Sequence, residues 1–348
     1  MIIGGGTPDT NISQYWNGNI QWFTPSEIGK SKYVDNSLRT ISEEGLNKSN
    51  AKILPIGTIL LSSRATIGEC SINKKECATN QGFQSLISKE NFSNEFVYYL
   101  IQTKRKDLIR KSCGSTFLEI SANEVRKIGV TIPTLKEQDK IATILSLLDE
   151  RIATQNKIID KLQSLIKGIS SKIFASIKGV EYRMGDIATI TNGNSNVQDA
   201  IAEAKEGLYP FFDRSEDIKY LPTFLFDKVA IIYPGEGADF MPRYFKGKFA
   251  LHQRCYAIFD FNEIINAQFL YFYLKTKNSY FIRNAVGSTV PSLRLDTFQK
   301  LKVVIPSKNT QYSVSLCLSY IEQKCNLENE ILQTLLNQKQ FLLRQMFI

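Results

Sequence analysis

The sequence predicts a modular α/β (α+β) protein: two globular domains separated by a long antiparallel two-helix coiled coil, related by a pseudo-twofold internal repeat. A duplicated set of residues, two heptad seams and a change of texture after each of two Ile-Pro pairs carry this prediction. Gly114-Ser115-Thr116 recurs as Gly287-Ser288-Thr289, 173 positions later. Ile132-Pro133, Gln138, Leu145, Asn156, Ile158, Leu162 and Phe174 recur at the same offset as Ile305-Pro306, Gln311, Leu318, Asn329, Ile331, Leu335 and Phe347. Phe96 and Tyr98 match Phe269 and Tyr271, so the offset holds without a gap from Phe96 to Phe174, as a duplication requires. Gln81 matches Gln253 after a one-residue slip.

Each copy begins with a region rich in Gly, aromatics and short β-branched runs, such as Gly57-Thr-Ile-Leu-Leu61 and Lys228-Val-Ala-Ile-Ile-Tyr233. These read as strands with turn punctuation. A helical segment follows, Asn94 to Lys111 or Asn266 to Asn284, within which the matched aromatics Phe96, Tyr98, Phe269 and Tyr271 have the spacing of core packing. Then come the Gly-Ser-Thr loop and a short strand ending at Ile-Pro, where Pro stops pairing. The expected divisions are 1–133, 134–178, 179–306 and 307–348.

From Lys136 to Ile177 there is no Pro and only Gly168. Ile141, Leu145, Leu148, Ile152, Gln155, Ile159, Leu162, Ile166, Ile169 and Ile173 step alternately by four and three, a heptad seam on a helix about 60 Å long. The second copy repeats it with Val314, Leu318, Ile321, Cys325, Glu328, Leu332, Leu335, Lys339, Leu342 and Met346. Gln155 and Glu328 are equivalent polar seam positions, which set register and partner at a cost in stability. The economical arrangement pairs the two seams within one chain; a homodimeric coil is the alternative.

Lys and Arg number 43 against 34 Asp and Glu, a formal net charge of +9. That balance points to a polyanionic partner, nucleic acid before an anionic membrane surface. No run approaches the ~20 apolar residues that span a bilayer, and Met1-Ile-Ile-Gly-Gly-Gly6 has neither a basic n-region nor an apolar h-region. The expectation is a cytoplasmic protein with no membrane partner. Six cysteines without Cys-x-x-Cys spacing and a single histidine, His252, do not compose a zinc site; they read as thiols in a reducing compartment. There is no P-loop and no Asn/Asp-Pro-Pro-aromatic motif of an amino-methyltransferase. No catalytic residue, metal or cofactor is expected. Gly4-Gly5-Gly6 reads as a turn, and Glu322-x-Lys324 as part of a solvated helix face.

Phosphates are met by Lys, Arg, hydroxyls and backbone amides, bases by Arg, Asn and Gln. Phe240 to Phe259 contains no carboxylate and carries Arg243, Tyr244, Lys246, Lys248, His252, Gln253 and Arg254; its alternative role is a water-exposed basic hairpin. In the first copy the candidates are Arg64, Lys74, Lys75, Asn80 and Gln81, with Lys104, Arg105, Lys106, Arg110 and Lys111 on a basic helix face. Ser115, Thr116, Ser288 and Thr289 sit in loops small enough for backbone amides to approach a phosphate. Arg294 follows the second loop.

Gly4-Gly5-Gly6-Thr7-Pro8, Trp16 and Ile20-Gln-Trp22-Phe-Thr-Pro-Ser-Glu-Ile28 resemble the opening of a target-recognition domain in the DNA-specificity subunits of Type I restriction–modification enzymes. Ser62-Ser-Arg64-Ala-Thr-Ile-Gly68, Thr79-Asn-Gln-Gly-Phe83 and Gly114-Ser-Thr116 continue the likeness. Ile132-Pro133 with Glu137-Gln138 resembles its exit into the spacer, and Tyr182-Arg-Met-Gly-Asp-Ile187 the start of a second recognition domain. The resemblance covers nearly the whole chain. It implies two target-recognition domains on an antiparallel spacer, reading double-stranded DNA. It also implies assembly with two methyltransferase and two restriction subunits, which carry the chemistry and its cofactors. The second copy has Glu181 to Thr189 ahead of its equivalent of Ile2, so the first domain is expected to be short at its outer edge. Rival readings are a fused DNA methyltransferase or endonuclease, and a coiled-coil adaptor whose charge is incidental.

Overall fold

The computed structural model describes residues 1–114 and 118–347, so Ser115 and Thr116 lie outside the described residues. The chain forms two units, Met1–Gln155 with Ile331–Ile348, and Asn156–Glu330. Among the described residues no helix is long and apolar enough to cross a membrane.

Unit 1 is built from short strands. One sheet runs Ile2–Gly4, Gln84–Leu86, Ile59–Leu61, Cys70–Asn73, Tyr33–Val34; a second runs Arg39–Ile41, Trp16–Phe23, Cys77–Thr79. Ile59, Leu61 and Ile72 meet Tyr98, Tyr99, Leu108 and Leu145 in the main core. A smaller cluster centres on Trp16 and Trp22, edge to face at 5.1 Å, with the Arg39 guanidinium 3.5 Å from the Trp16 ring centroid.

Unit 2 carries one larger sheet, ordered Thr189–Asn192, Cys255–Phe259, Phe226–Pro234, Arg243–Leu251, Tyr209–Phe212, Lys219–Leu221. Successive side chains alternate between faces. Ile231, Tyr233, Tyr256 and Ile258 pack beneath the helix Ala267–Lys275, while Ala230, Ile232, Phe249, Leu251 and Ala257 fill the other side. Arg243–Leu251 and Cys255–Phe259 flank Phe226–Pro234 on opposite sides. The stretch Phe240 to Phe259 is therefore not a hairpin.

The helical segments expected from Asn94 to Lys111 and from Asn266 to Asn284 are each broken in two: Asn94–Thr103 with Arg105–Arg110, and Ala267–Lys275 with Asn278–Asn284. A threonine marks each break at the repeat offset. Thr103 and Thr276 each turn their hydroxyl back onto a carbonyl three residues earlier, at 2.7 Å.

The long helices are Leu135–Ser176 and Lys308–Met346, 42 and 39 residues, about 63 and 58 Å at 1.5 Å per residue. Every seam position is buried or half-buried, including Gln155 at 8% and Glu328 at 7% exposure. In unit 1, Leu342, Leu343 and Phe347 join the cluster of Leu145 and Ile141, and Lys339 pairs with Asp149 at 2.6 Å. In unit 2, Ile169 and Phe174 join Val314 and Leu318, with Phe174 on Phe269 at 5.6 Å.

A glutamine clasp repeats at the foot of each helix. The Gln138 carboxamide accepts from Ser93 N–H at 3.0 Å and donates to the Pro133 and Asn91 carbonyls at 3.0 and 3.4 Å. Gln311 accepts from Asn266 N–H at 2.8 Å and donates to the Pro306 and Ile264 carbonyls at 3.0 and 2.9 Å. Both side chains are 1% exposed. Each clasp ties a helix to the loop opening its unit's aromatic helix.

Three expectations are corrected. Lys302–Ile305 is a strand, but 129–132 is not, because the partner that Lys302–Ile305 has in Val180–Arg183 has no counterpart among the described residues of unit 1. Gly4-Gly5-Gly6 is not a turn: Gly4 ends a strand, and a Cβ on Gly5 would lie 2.2 Å from the Asn80 carbonyl oxygen. Glu322 is not on a solvated face; it accepts from the Tyr271 hydroxyl at 2.9 Å and pairs with Lys275 at 2.7 Å.

Candidate nucleic-acid interface

Three loops meet at one end of the unit 2 sheet. The turn 252–254 follows the strand Arg243–Leu251, the segment 235–237 follows Phe226–Pro234, and the loop 286–292 leads out of the helix Asn278–Asn284. Val286 and Ser292 exchange backbone hydrogen bonds of 2.8 Å, closing the Gly-Ser-Thr loop, with Gly287 at φ +106°. Leu293 N–H donates to the Gly235 carbonyl at 2.8 Å and Gly237 N–H to the Pro291 carbonyl at 3.0 Å. A Cβ on Gly235 would fall 1.8 Å from the Arg254 carbonyl oxygen, and one on Gly193 would fall 1.9 Å from that of Leu251. Glycine at both positions is thus what lets the loops close on the turn.

A cleft of about 530 Å³ opens beside this turn, between Asp213, Lys219, Glu236, His252, Gln253 and Arg254. Arg254 pairs with Glu236 at 2.5 Å. Burial opposes ionisation of Asp213, but hydrogen bonds from Lys219 Nζ at 2.6 Å and from Ser215 hold its carboxyl below the usual carboxylate range. Burial pushes the Cys255 thiol up to about 11.

His252 Nδ1 accepts from Arg254 N–H at 3.2 Å. Burial lowers its pKa below 6.5, the Asp213 carboxylate pulls the other way, and Arg254 adds to the lowering. A base depressed in the folded state leaves stability intact above its unfolded value and costs stability as pH falls through the folded value. The single imidazole is expected to titrate by NMR with a midpoint below 6.5, and His252→Gln should lessen the loss of unit 2 stability as pH falls below about 6.5. A midpoint at or above 6.5 contradicts the assignment.

Unit 1 repeats the arrangement with other side chains. Asn80 Oδ1 accepts from Gly82 N–H at 2.9 Å, and Gln81 Oε1 accepts from the Thr7 hydroxyl at 2.5 Å. Ser63 N–H donates to the Gly82 carbonyl at 2.8 Å, and Ile120 N–H to the Ser63 carbonyl at 3.0 Å. Cys113 and Glu119 close the loop with two bonds of 2.9 Å, and Gly114 has φ +131°. Arg64 pairs with Glu119 at 2.9 Å and Arg105 with Glu69 at 3.6 Å.

The structure therefore gathers Arg64, Asn80, Gln81 and Arg105 in unit 1, and His252, Gln253, Arg254, Ser288 and Thr289 in unit 2. Ser288, Thr289 and Arg294 are exposed. Lys74 and Lys75 stand apart, at the other end of the strand Cys77–Thr79 from Asn80; Lys74 lies over the Tyr33 ring and Lys75 bonds Asn36 at 2.7 Å. Lys104 sits at the helix break, with Lys106 and Arg110 exposed and Arg110 bonded to Asp107. Lys246 and Lys248 are exposed on their strand, Lys248 beside Phe224 at 4.8 Å. Two candidates point into packing. Arg243 bonds the Ser215 carbonyl, with its Nη1 buried, and Tyr244 leans on Tyr271 at 5.8 Å. The acidic partners Glu69, Glu119 and Glu236 carry no local signal in the sequence, because each lies many positions from the cation it holds, whereas Asp213 is close in sequence to its partner Lys219. Among the described residues no group of three or more His, Cys, Asp or Glu could hold a metal ion.

The profile of the Type I restriction modification DNA specificity domain matches residues 1–164 and 178–337. The MjaIX specificity subunit of Methanocaldococcus jannaschii is 39% identical over 168 residues, covering 46% of this chain and 39% of that protein. The EcoR124I/EcoR124II specificity subunit of Escherichia coli is 29% identical over 153 residues, 42% of this chain and 38% of that protein. The chain thus spans about two fifths of the length of these two relatives. The EcoprrI specificity subunit of Escherichia coli is 23% identical across 95% of this chain and 87% of its own length. A crystal structure of a Type I restriction-modification S subunit from M. genitalium shares the fold with a TM-score of 0.64, at 18% identity and covering 98% of this chain and 99% of that one. A structure from work on assembly and conformational transition of a type I R-M system aligns at 0.60, with 13% identity, 99% of this chain and 95% of that one.

Proposed function

The chain belongs to the Type I restriction–modification DNA specificity family, and from that premise we propose that it reads a bipartite, asymmetric site on double-stranded DNA and docks partner subunits that carry the chemistry. Residues 1–133 and 179–306 act as target-recognition domains, 134–178 and 307–348 as spacer helices. The helices pair antiparallel as a two-stranded coil, with Gln155 and Glu328 setting register. A spacer of about 60 Å accommodates half-sites one duplex turn apart, about 34–36 Å. The chain itself performs no catalysis. Two methyltransferase and two restriction subunits supply it, in the cytoplasm where the DNA is.

The observation that carries this reading is that both units build the same three-loop end and dress it with different side chains. The turns share a glutamine, Gln81 or Gln253, but flank it with Asn80 and Gly82 in one unit and with His252 and Arg254 in the other. Equivalent scaffolds with unlike reading groups suit unlike half-sites. Arg and Gln present the donors that guanine and adenine edges accept, each worth about 1–3 kcal/mol of discrimination.

The test is a domain exchange. Replacing residues 1–133 with another recognition domain should change one half of the methylated target and leave the other as it was, read by methylome sequencing. A target altered in both halves, or in neither, overturns the assignment. Duplex binding, measured with the methyltransferase subunit present, should weaken about a thousandfold or more between 50 and 200 mM salt if roughly six phosphates are contacted. Salt-insensitive binding would favour an adaptor, and methyl transfer or cleavage by the purified chain alone would favour an enzyme.

A further inference from the structure

The two units set opposite charges at one place on the same scaffold. Matched hydrogen bonds and β-bridges fix the correspondence. Asn80 Oδ1 accepts from Gly82 N–H at 2.9 Å, and His252 Nδ1 from Arg254 N–H at 3.2 Å. The Ser63 carbonyl accepts from Ile120 N–H at 3.0 Å, and the Gly235 carbonyl from Leu293 N–H at 2.8 Å. Arg64 bridges to Glu119 as Glu236 bridges to Ser292, each antiparallel. Arg64 therefore stands where Glu236 does, Gly82 where Arg254 does, and Glu119 where Ser292 does.

Each unit nevertheless holds one arginine of this scaffold against one carboxylate. In unit 1 Arg64 Nε meets Glu119 at 2.9 Å; in unit 2 Arg254 Nη1 meets Glu236 at 2.5 Å. The sign at the shared place is reversed, and the pairing persists because its partner sits on a different loop. Stability does not explain it: the arginine side chains are 44% and 62% exposed, and such pairs contribute little. A carboxylate on a surface that faces a polyanion also weakens the attraction. The acids must serve something else. A guanidinium carries five N–H donors in a rigid planar fork. The acid engages one nitrogen in each unit, and no other acceptor among the described residues meets either guanidinium. Arg64 keeps its Nη1–Nη2 edge and Arg254 its Nε–Nη2 edge, each suited to two acceptors in one plane.

We propose that Glu119 and Glu236 are positioning residues for base readout. Each fixes the plane of its arginine so that the remaining edge reads O6 and N7 of one guanine, Arg64 in one half-site and Arg254 in the other. The inference rests on the DNA-reading function proposed above. Orienting the side chain in advance removes an ordering penalty from binding. A carboxylate beside the fork repels a phosphate far more than the edge of a neutral base, so the pair favours base over backbone. The guanidinium comes from the loop 62–68 in unit 1 and from the turn 252–254 in unit 2. The two guanines therefore occupy different places within their half-sites.

The test uses the full chain with its methyltransferase subunit and a duplex carrying the mapped methylation target. Replacing single guanines by 7-deazaguanine removes the N7 acceptor and keeps Watson–Crick pairing. The unmodified chain should lose about threefold or more in affinity at one guanine in each half-site. Arg254→Ala should abolish that sensitivity in one half only, and Arg64→Ala in the other only. Glu236→Gln should strengthen binding to a duplex without the target and lower preference for the target about tenfold. Glu236→Asp, which keeps the charge, should restore part of that preference, and Glu119→Gln should act likewise on the other half-site. An acid that only braced the loops would change the melting temperature and leave preference untouched. Half-sites without guanine, a deazaguanine loss that survives both arginine changes, or full preference in Glu236→Gln would each overturn the proposal while duplex reading stands. No duplex binding by the complex would overturn both.

Discussion

Alanine at Gln311 is expected to destabilise unit 2 by about 3 kcal/mol or more. The side chain is 1% exposed and holds the Asn266 N–H and the Ile264 and Pro306 carbonyls. Truncation leaves a buried amide and two buried carbonyls, each costing about 1–3 kcal/mol when unpaired, less whatever an entering water restores. Gln311→Glu should do nearly as much harm, because it puts carboxylate oxygen against the two carbonyls in place of a donor. Gln138→Ala is the matched change in unit 1. Denaturant unfolding measures the loss, and hydrogen exchange over Phe226–Phe259 against Ile59–Leu86 locates it. A loss below about 1 kcal/mol, or one spread evenly over both units, would mean that the clasp does not fasten helix to domain.

Arg254→Glu is expected to lower duplex affinity about a hundredfold or more, some 2.7 kcal/mol, while leaving the melting temperature nearly unchanged. The side chain is 62% exposed, so its pair with Glu236 contributes little to stability. In the proposed interface, however, it stands on the reading turn beside Gln253 and His252. Reversal removes a cation facing DNA and places a second carboxylate beside Glu236. Lys74→Glu makes the same charge change at the far end of the strand Cys77–Thr79 from its unit's turn, and is expected to leave affinity within about threefold. Fluorescence anisotropy at one fixed salt concentration compares the two. Equal losses would mean that net charge, not the turn, governs binding.

The repeat and the long helices were legible because their signals are local or periodic. A seam stepping by four and three needs no knowledge of its partner, and a constant offset between copies needs none of the fold. The Gly4-Gly5-Gly6 turn was misassigned for a definite reason. Gly5 is not at a bend; it is where another backbone, that of Asn80, passes too close for a Cβ, and that neighbour lies far along the chain. The basic candidates divided on the same principle. Arg64, Arg105 and Arg254 are each held by a carboxylate remote in sequence, and Arg243 turned inward onto Phe212 and Ser215.

Chain order alone thus settled the duplication, the heptad seams and the excess of cations, since each is a property of residues counted along one strand of text. Which cations face solvent and which loops converge on a cleft were decided by tertiary structure alone. The physical reason is range: hydrogen bonds, ion pairs and steric exclusion act over a few ångströms. What lies within that distance depends on where the fold brings residues that the sequence keeps tens of positions apart.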